Sequence, residues 1–129
     1  MKSISILGST GSIGVNTLKV VEHLSGEFSV SALGAGSNVE VLAEQIRKFE
    51  PKVVAVKDEA SAAKLDQLLQ SNGARRPQIL TGEAGLVAVA TDEVSEILVS
   101  ATVGAVGFIP TLRAIECGKR IALANKETL

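Results

Sequence analysis

Gly8, Gly11 and Gly14 follow a short run of alternating polar and apolar residues, Ser3 to Leu7, and lead into an amphipathic segment. A strand, a tight glycine turn and a helix start, in that order, make a place for a phosphate. Without Cβ atoms the turn lets an anion reach backbone amides, and the helix offers its positive dipole end. The chemistry on offer is the cradling of a pyrophosphate. The spacing is G-x-x-G-x-x-G, one residue longer in its first interval than the common dinucleotide fingerprint G-x-G-x-x-G. A glycine turn with no ligand is the competing reading, and the rest of the chain has to separate the two.

The next candidate stretch is Gly34-Ala35-Gly36-Ser37-Asn38. NAD-binding domains usually end this strand with Asp or Glu, which bonds the ribose 2′-hydroxyl and repels a 2′-phosphate. Here backbone amides, a hydroxyl and a side-chain amide stand at a helix start instead, which favours NADP over NAD. Capping alone would also account for Ser37 and Asn38. Asn125, Lys126 and Glu127 form a further polar group after the last expected strand, readable as ligand-facing or as a solvated loop. No metal set is recognisable from one cysteine, Cys117, and one histidine, His23, which read as a helix-face and a surface residue. Asp58 and Glu59 fit a helix cap.

These groups need elements to position them. Ile13, Val15, Leu18, Val20, Val21 and Leu24 approximate a helical stripe closed by Ser25-Gly26, and Phe28 to Leu33 alternates as a second strand. Ser37-Asn38-Val39-Glu40 has capping-box spacing, with Ser37 placed to bond a backbone amide and Glu40 to reach back. Val39, Leu42, Ala43, Ile46 and Phe49 would be that helix's buried face. Lys52 to Val56 is the apolar strand of a sheet covered on both sides. Asp58 caps another helix, with Ala62, Leu65, Leu68 and Leu69 inward and Asn72-Gly73 at its end. Gln78 to Leu80, Ile97 to Ser100 and Arg120 to Ala124 read as strands, and Glu83 to Ala90 and Pro110 to Cys117 as helices.

That alternation predicts an α/β fold: a doubly wound, mostly parallel Rossmann-like sheet with helices on both faces. Ligands of such sheets lie outside the carboxyl ends of the strands, near the point where strand order reverses. Gly8 to Gly14, Gly34 to Asn38, Ala101 to Gly107 and Asn125 to Glu127 are therefore expected along one edge.

Composition narrows the partners. The chain has 129 residues, enough for one domain with a core, and 13 basic against 14 acidic residues. With no basic run, no Trp or Tyr and three Phe, it lacks the surface and stacking platforms of a nucleic-acid binder. The N-terminus breaks into glycines too early for a secretory signal. The longest charge-free run, Ile97 to Leu112, is punctuated by Gly104, Gly107 and Pro110 and is too short for a bilayer. No nucleic-acid or membrane partner is expected, and the single cysteine fits a reducing compartment.

Ser9-Thr10-Gly11-Ser12-Ile13-Gly14 after Ile6-Leu7-Gly8 is distinctive, as is Leu123-Ala124-Asn125-Lys126-Glu127-Thr128-Leu129. With Ala35-Gly36-Ser37-Asn38, Val103-Gly104-Ala105-Val106-Gly107 and Pro110-Thr111, they make the whole chain resemble, in register, the 1-deoxy-D-xylulose 5-phosphate reductoisomerases. The resemblance implies an enzyme of non-mevalonate isoprenoid biosynthesis that makes 2-C-methyl-D-erythritol 4-phosphate by rearrangement and hydride delivery. It implies NADPH and a divalent metal, Mg²⁺ or Mn²⁺, in a full-length homodimer, cytoplasmic in bacteria or else plastid.

Carried over, Thr10, Gly11, Ser12 and Ile13 hold the pyrophosphate side of NADPH, and Gly36, Ser37 and Asn38 meet its adenosine end. Asn125 and Glu127 contact the cofactor and Lys126 reaches the phosphorylated sugar substrate. Many members of the family carry Lys or Arg where this chain has Ser37, so the 2′-phosphate would be met by neutral donors or by a base borrowed from elsewhere. The family's metal-binding carboxylates and lid lie past the ALANKETL motif, so neither catalytic nor metal-ligating residues are expected within these 129 residues. The chain is expected to be an NADPH-binding portion, inactive alone. The alternatives are a stand-alone NADP-binding or regulatory module, or the cofactor domain of another NADP-dependent reductase.

Overall fold

The strand that precedes the glycine turn, β1 (Lys2–Leu7), lies inside the sheet, between β2 (Phe28–Gly34) and β5 (Ile97–Ser100). The computed structural model describes residues 1–24, 26–70, 76–102 and 104–124. With β3 (Val53–Val56), β4 (Gln78–Thr81) and β6 (Arg120–Leu123) the described sheet has six strands in the order β4-β3-β2-β1-β5-β6. All its pairings are parallel. The chain steps outward from β1 to β4 and then crosses back to lay β5 on the other side of β1. Strand order therefore reverses between β1 and β5.

Side-chain alternation along the strands feeds two cores. On one face Ile4, Ile6, Val54 and Val56 pack with α1 (Ser12–His23), α2 (Val39–Phe49) and α3 (Glu59–Gln70) through Leu18, Leu42, Ile46 and Leu65. On the other, Leu7, Ala32, Ala55 and Leu98 meet Val89 and Ala90 of α4 (Gly82–Ala90) and Ala114 of α5 (Phe108–Glu116). Each fully buried Leu or Ile contributes about 1.5–3 kcal/mol of burial, which sets the helices firmly against the sheet. The doubly wound expectation holds, and every described strand runs parallel.

Three details depart from the expected local pattern. Ser5 of β1 is not solvent-facing but fully buried, its hydroxyl 2.9 Å from that of Ser95, because helices cover both sides of the strand. The capping box at α2 does not form. Asn38 is the N-cap, its Oδ1 accepting from Val41 N at 3.3 Å, while Ser37 offers its backbone carbonyl to Val39 N at 2.9 Å. Glu40 reaches instead to Lys64, 2.7 Å away on α3. Finally, α5 begins at Phe108, two residues earlier than expected, with Pro110 inside the first turn, where its missing N–H removes no helical bond.

Candidate functional site

The glycine turn sits at the reversal point of the sheet. Gly8 has φ +80°, and a Cβ there would lie 2.7 Å from the carbonyl oxygen of Ala101 at the end of β5. Gly8 N and Ser9 N both donate to Gly34 O, at 2.8 and 3.0 Å, tying the turn to the end of β2. Gly14 lies in the first turn of α1, where a Cβ would come 2.1 Å from Gly8 O; the helix can rest on the turn only without one. Gly11 is different. It is the exposed N-cap of α1, and a Cβ there would meet only Gly8 O, at 3.6 Å. No contact within the described residues requires a glycine at that point, and the space beside it is open.

The outward direction of the turn's amides has a cause. Gln45 of α2 is buried, and its Nε2 donates to the backbone carbonyl of Ser9 at 2.8 Å. A trans peptide points its C=O and the next N–H in opposite directions. Holding Ser9 O inward therefore turns the Thr10 N–H outward, where it has no protein acceptor among the described residues. The first-turn amides of α1 add to it, and no acidic side chain in that turn cancels the positive end of the dipole. Ser9 Oγ and Gln45 Oε1, buried beside this bond, have no hydrogen-bond partner among the described residues.

The second loop lies alongside. Gly36, Ser37 and Asn38 are exposed at the start of α2, and Gly36 has open space where a Cβ would stand. Its neighbour Glu40 carries a charge facing α3: the Lys64 hydrogen bond, then one from its own backbone amide, hold that carboxyl below its ordinary value. At the end of β5, Ser100 Oγ and Thr111 Oγ1 are 3.1 Å apart. They border an apolar cleft of about 530 Å³, lined also by Thr102, Gly104, Phe108 and Leu123.

Thr10, Gly11, Ser12, Ile13, Gly36, Ser37 and Asn38 are thus brought to one edge, as expected, together with Ala101 to Gly107 apart from Val103. Asn125, Lys126 and Glu127 lie outside the described residues, as do Ser25, Asn72-Gly73 and Val103. Gln45, Ser100 and Thr111 were not legible as site residues. A polar side chain beside the apolar stripe of α2 reads as solvent-facing until α1 and the turn are known to cover it. His23 and Cys117 are exposed. Among the described residues no three His, Cys, Asp or Glu side chains converge as a metal site, and no helix is long and apolar enough to cross a membrane.

The family model described as 1-deoxy-D-xylulose 5-phosphate reductoisomerase matches residues 4–129. The chain belongs to the 1-deoxy-D-xylulose 5-phosphate reductoisomerase family. It is 54% identical over 129 residues to the reductoisomerase of Chlorobium phaeobacteroides (strain BS1), covering all of this chain and 33% of that one. The same figures hold for the reductoisomerase of Chlorobaculum tepidum. The chain spans about a third of the length of the curated relatives it matches. Its fold superposes on DOX-P reductoisomerase in complex with NADPH, fosmidomycin and magnesium with a TM-score of 0.91 at 38% identity, over 100% of this chain and 31% of that one. The reductoisomerase of Zymomonas mobilis in complex with NADPH gives 0.88 at 34% identity, over 99% and 33%. The sheet order above is therefore that of a reductoisomerase's Rossmann-like domain.

Proposed function

We propose that this chain supplies the NADPH site of a 1-deoxy-D-xylulose 5-phosphate reductoisomerase, the whole protein converting that sugar phosphate to 2-C-methyl-D-erythritol 4-phosphate. The observation that carries the reading is the open Gly11 at the N-terminus of α1, beside the outward Thr10 amide at the reversal point of the sheet. This room and these donors fit a pyrophosphate. Solved members of the family were obtained with NADPH, in line with that fit.

In this reading Thr10, Gly11, Ser12 and Ile13 bind the pyrophosphate through backbone amides and the first-turn dipole. Gly36, Ser37 and Asn38 receive the adenosine end, and the apolar cleft past β5 keeps water from the nicotinamide side. Asn125 and Glu127 contact the cofactor, and Lys126 reaches the phosphorylated sugar. Hydride delivery is the chemistry NADPH supplies when bound. The described residues do not fit the family's divalent metal, so no metal-dependent step is assigned to them. The whole protein is a cytoplasmic homodimer, and the 129-residue chain binds cofactor without turning over the sugar phosphate.

Fluorescence titration with NADPH and NADH tests the reading. Saturable binding, tighter for NADPH, supports it; a folded chain that binds neither overturns it. Reductoisomerase activity from the purified chain would overturn its catalytic incompleteness.

A further inference from the structure

The adenosine-side loop has no cation of its own, since Ser37 and Asn38 are neutral. The β2–β3 ladder nevertheless brings one beside it. Gly34 pairs with Ala55, and the ladder continues beyond both strands: Ala35 N donates to Ala55 O at 2.9 Å and Lys57 N to Gly36 O at 3.1 Å. Lys57 is thereby fixed one strand spacing, about 4.8 Å, from the backbone of Gly36. It is exposed, and its ammonium stands on a flexible four-carbon stem.

Among the described residues, the cations nearest this edge are paired or stand elsewhere. Lys64 is held by Glu40 at 2.7 Å. Lys2, Lys52 and Arg120 stand at strand starts, on the opposite edge of the sheet. Among the described residues Lys57 has no ion-pair partner. Its neighbour Asp58 feels the Lys57 charge but directs its carboxylate to α3, accepting from Ser61 N at 2.9 Å as the cap of that helix.

Resting on the NADPH reading above, we infer that Lys57 is the specificity-determining residue that recognises the 2′-phosphate of the cofactor, in place of a basic residue at position 37. An ammonium–phosphate contact is a charge-assisted hydrogen bond, enough for about tenfold in affinity.

The test is titration of NADPH and NADH against the wild-type chain, Lys57→Gln, and Lys57→Gln combined with Ser37→Lys. The expected result is a loss of about tenfold in NADPH affinity for Lys57→Gln, NADH staying within about twofold, and recovery in the double variant. An unchanged NADPH-to-NADH ratio in Lys57→Gln overturns the inference, as does an equal loss for both cofactors. Binding of neither cofactor by the wild-type chain overturns the underlying reading, and a wild type that binds both equally overturns the Lys57 assignment alone.

Discussion

Gln45 donates from Nε2 to the backbone carbonyl of Ser9 at 2.8 Å, a buried bond between the middle of α2 and the glycine turn after β1. It joins α2, which opens at the Gly36–Asn38 loop, to the glycine turn proposed to hold the pyrophosphate. Gln45→Leu keeps the volume and removes the donor, leaving a buried carbonyl without its partner at a cost of about 1–3 kcal/mol. Urea unfolding should show a loss in that range. NADPH affinity should fall several-fold, because the Thr10 amide is no longer held outward. Wild-type affinity in a destabilised Gln45→Leu chain would mean that the bond serves folding alone.

Gly14 separates packing from ligand access. Its absent Cβ would lie 2.1 Å from a backbone oxygen, which cannot rotate away. Gly14→Ala should therefore destabilise the chain by about 1–3 kcal/mol or more, read as a lower urea midpoint. A variant as stable as the wild type would show that α1 can shift off the turn.

Asp58 gives a pH signature. The Ser61 backbone amide, then the Ser61 hydroxyl, hold its carboxyl below the ordinary aspartate value. A carboxyl whose folded value lies below its unfolded value of about 3.9 stabilises fully above that pH and loses the effect as pH falls through the folded value. Asp58→Ala should lower the urea midpoint at neutral pH, and the gap from wild type should close below about pH 4. A gap that persists unchanged through that fall contradicts the charged cap.

Much of this was legible from residue order. The apolar VVAV of β3, the Asp58 cap and the alternation of strands with helices follow from local rules, and their placement along one sheet edge follows from the fold class. The hidden parts depended on tertiary cover. Ser5 reads as exposed until helices close both faces of β1, and Gln45 reads as solvated until the turn lies against it. Asn38 rather than Ser37 caps α2, and Glu40 turns to Lys64, a partner too distant in sequence for a local capping rule to reveal.

Gly11 tests the central claim most directly, because the protein leaves its Cβ position open. Gly11→Val loses a favourable N-cap residue, a cost of about 1 kcal/mol, while filling the room assigned to the pyrophosphate. NADPH titration of the wild-type chain and this variant, each checked by urea unfolding, should give saturable binding by the first. It should give none by the second, with the variant still folded. Equal NADPH affinity in the two would contradict a cofactor held at Thr10 to Ile13.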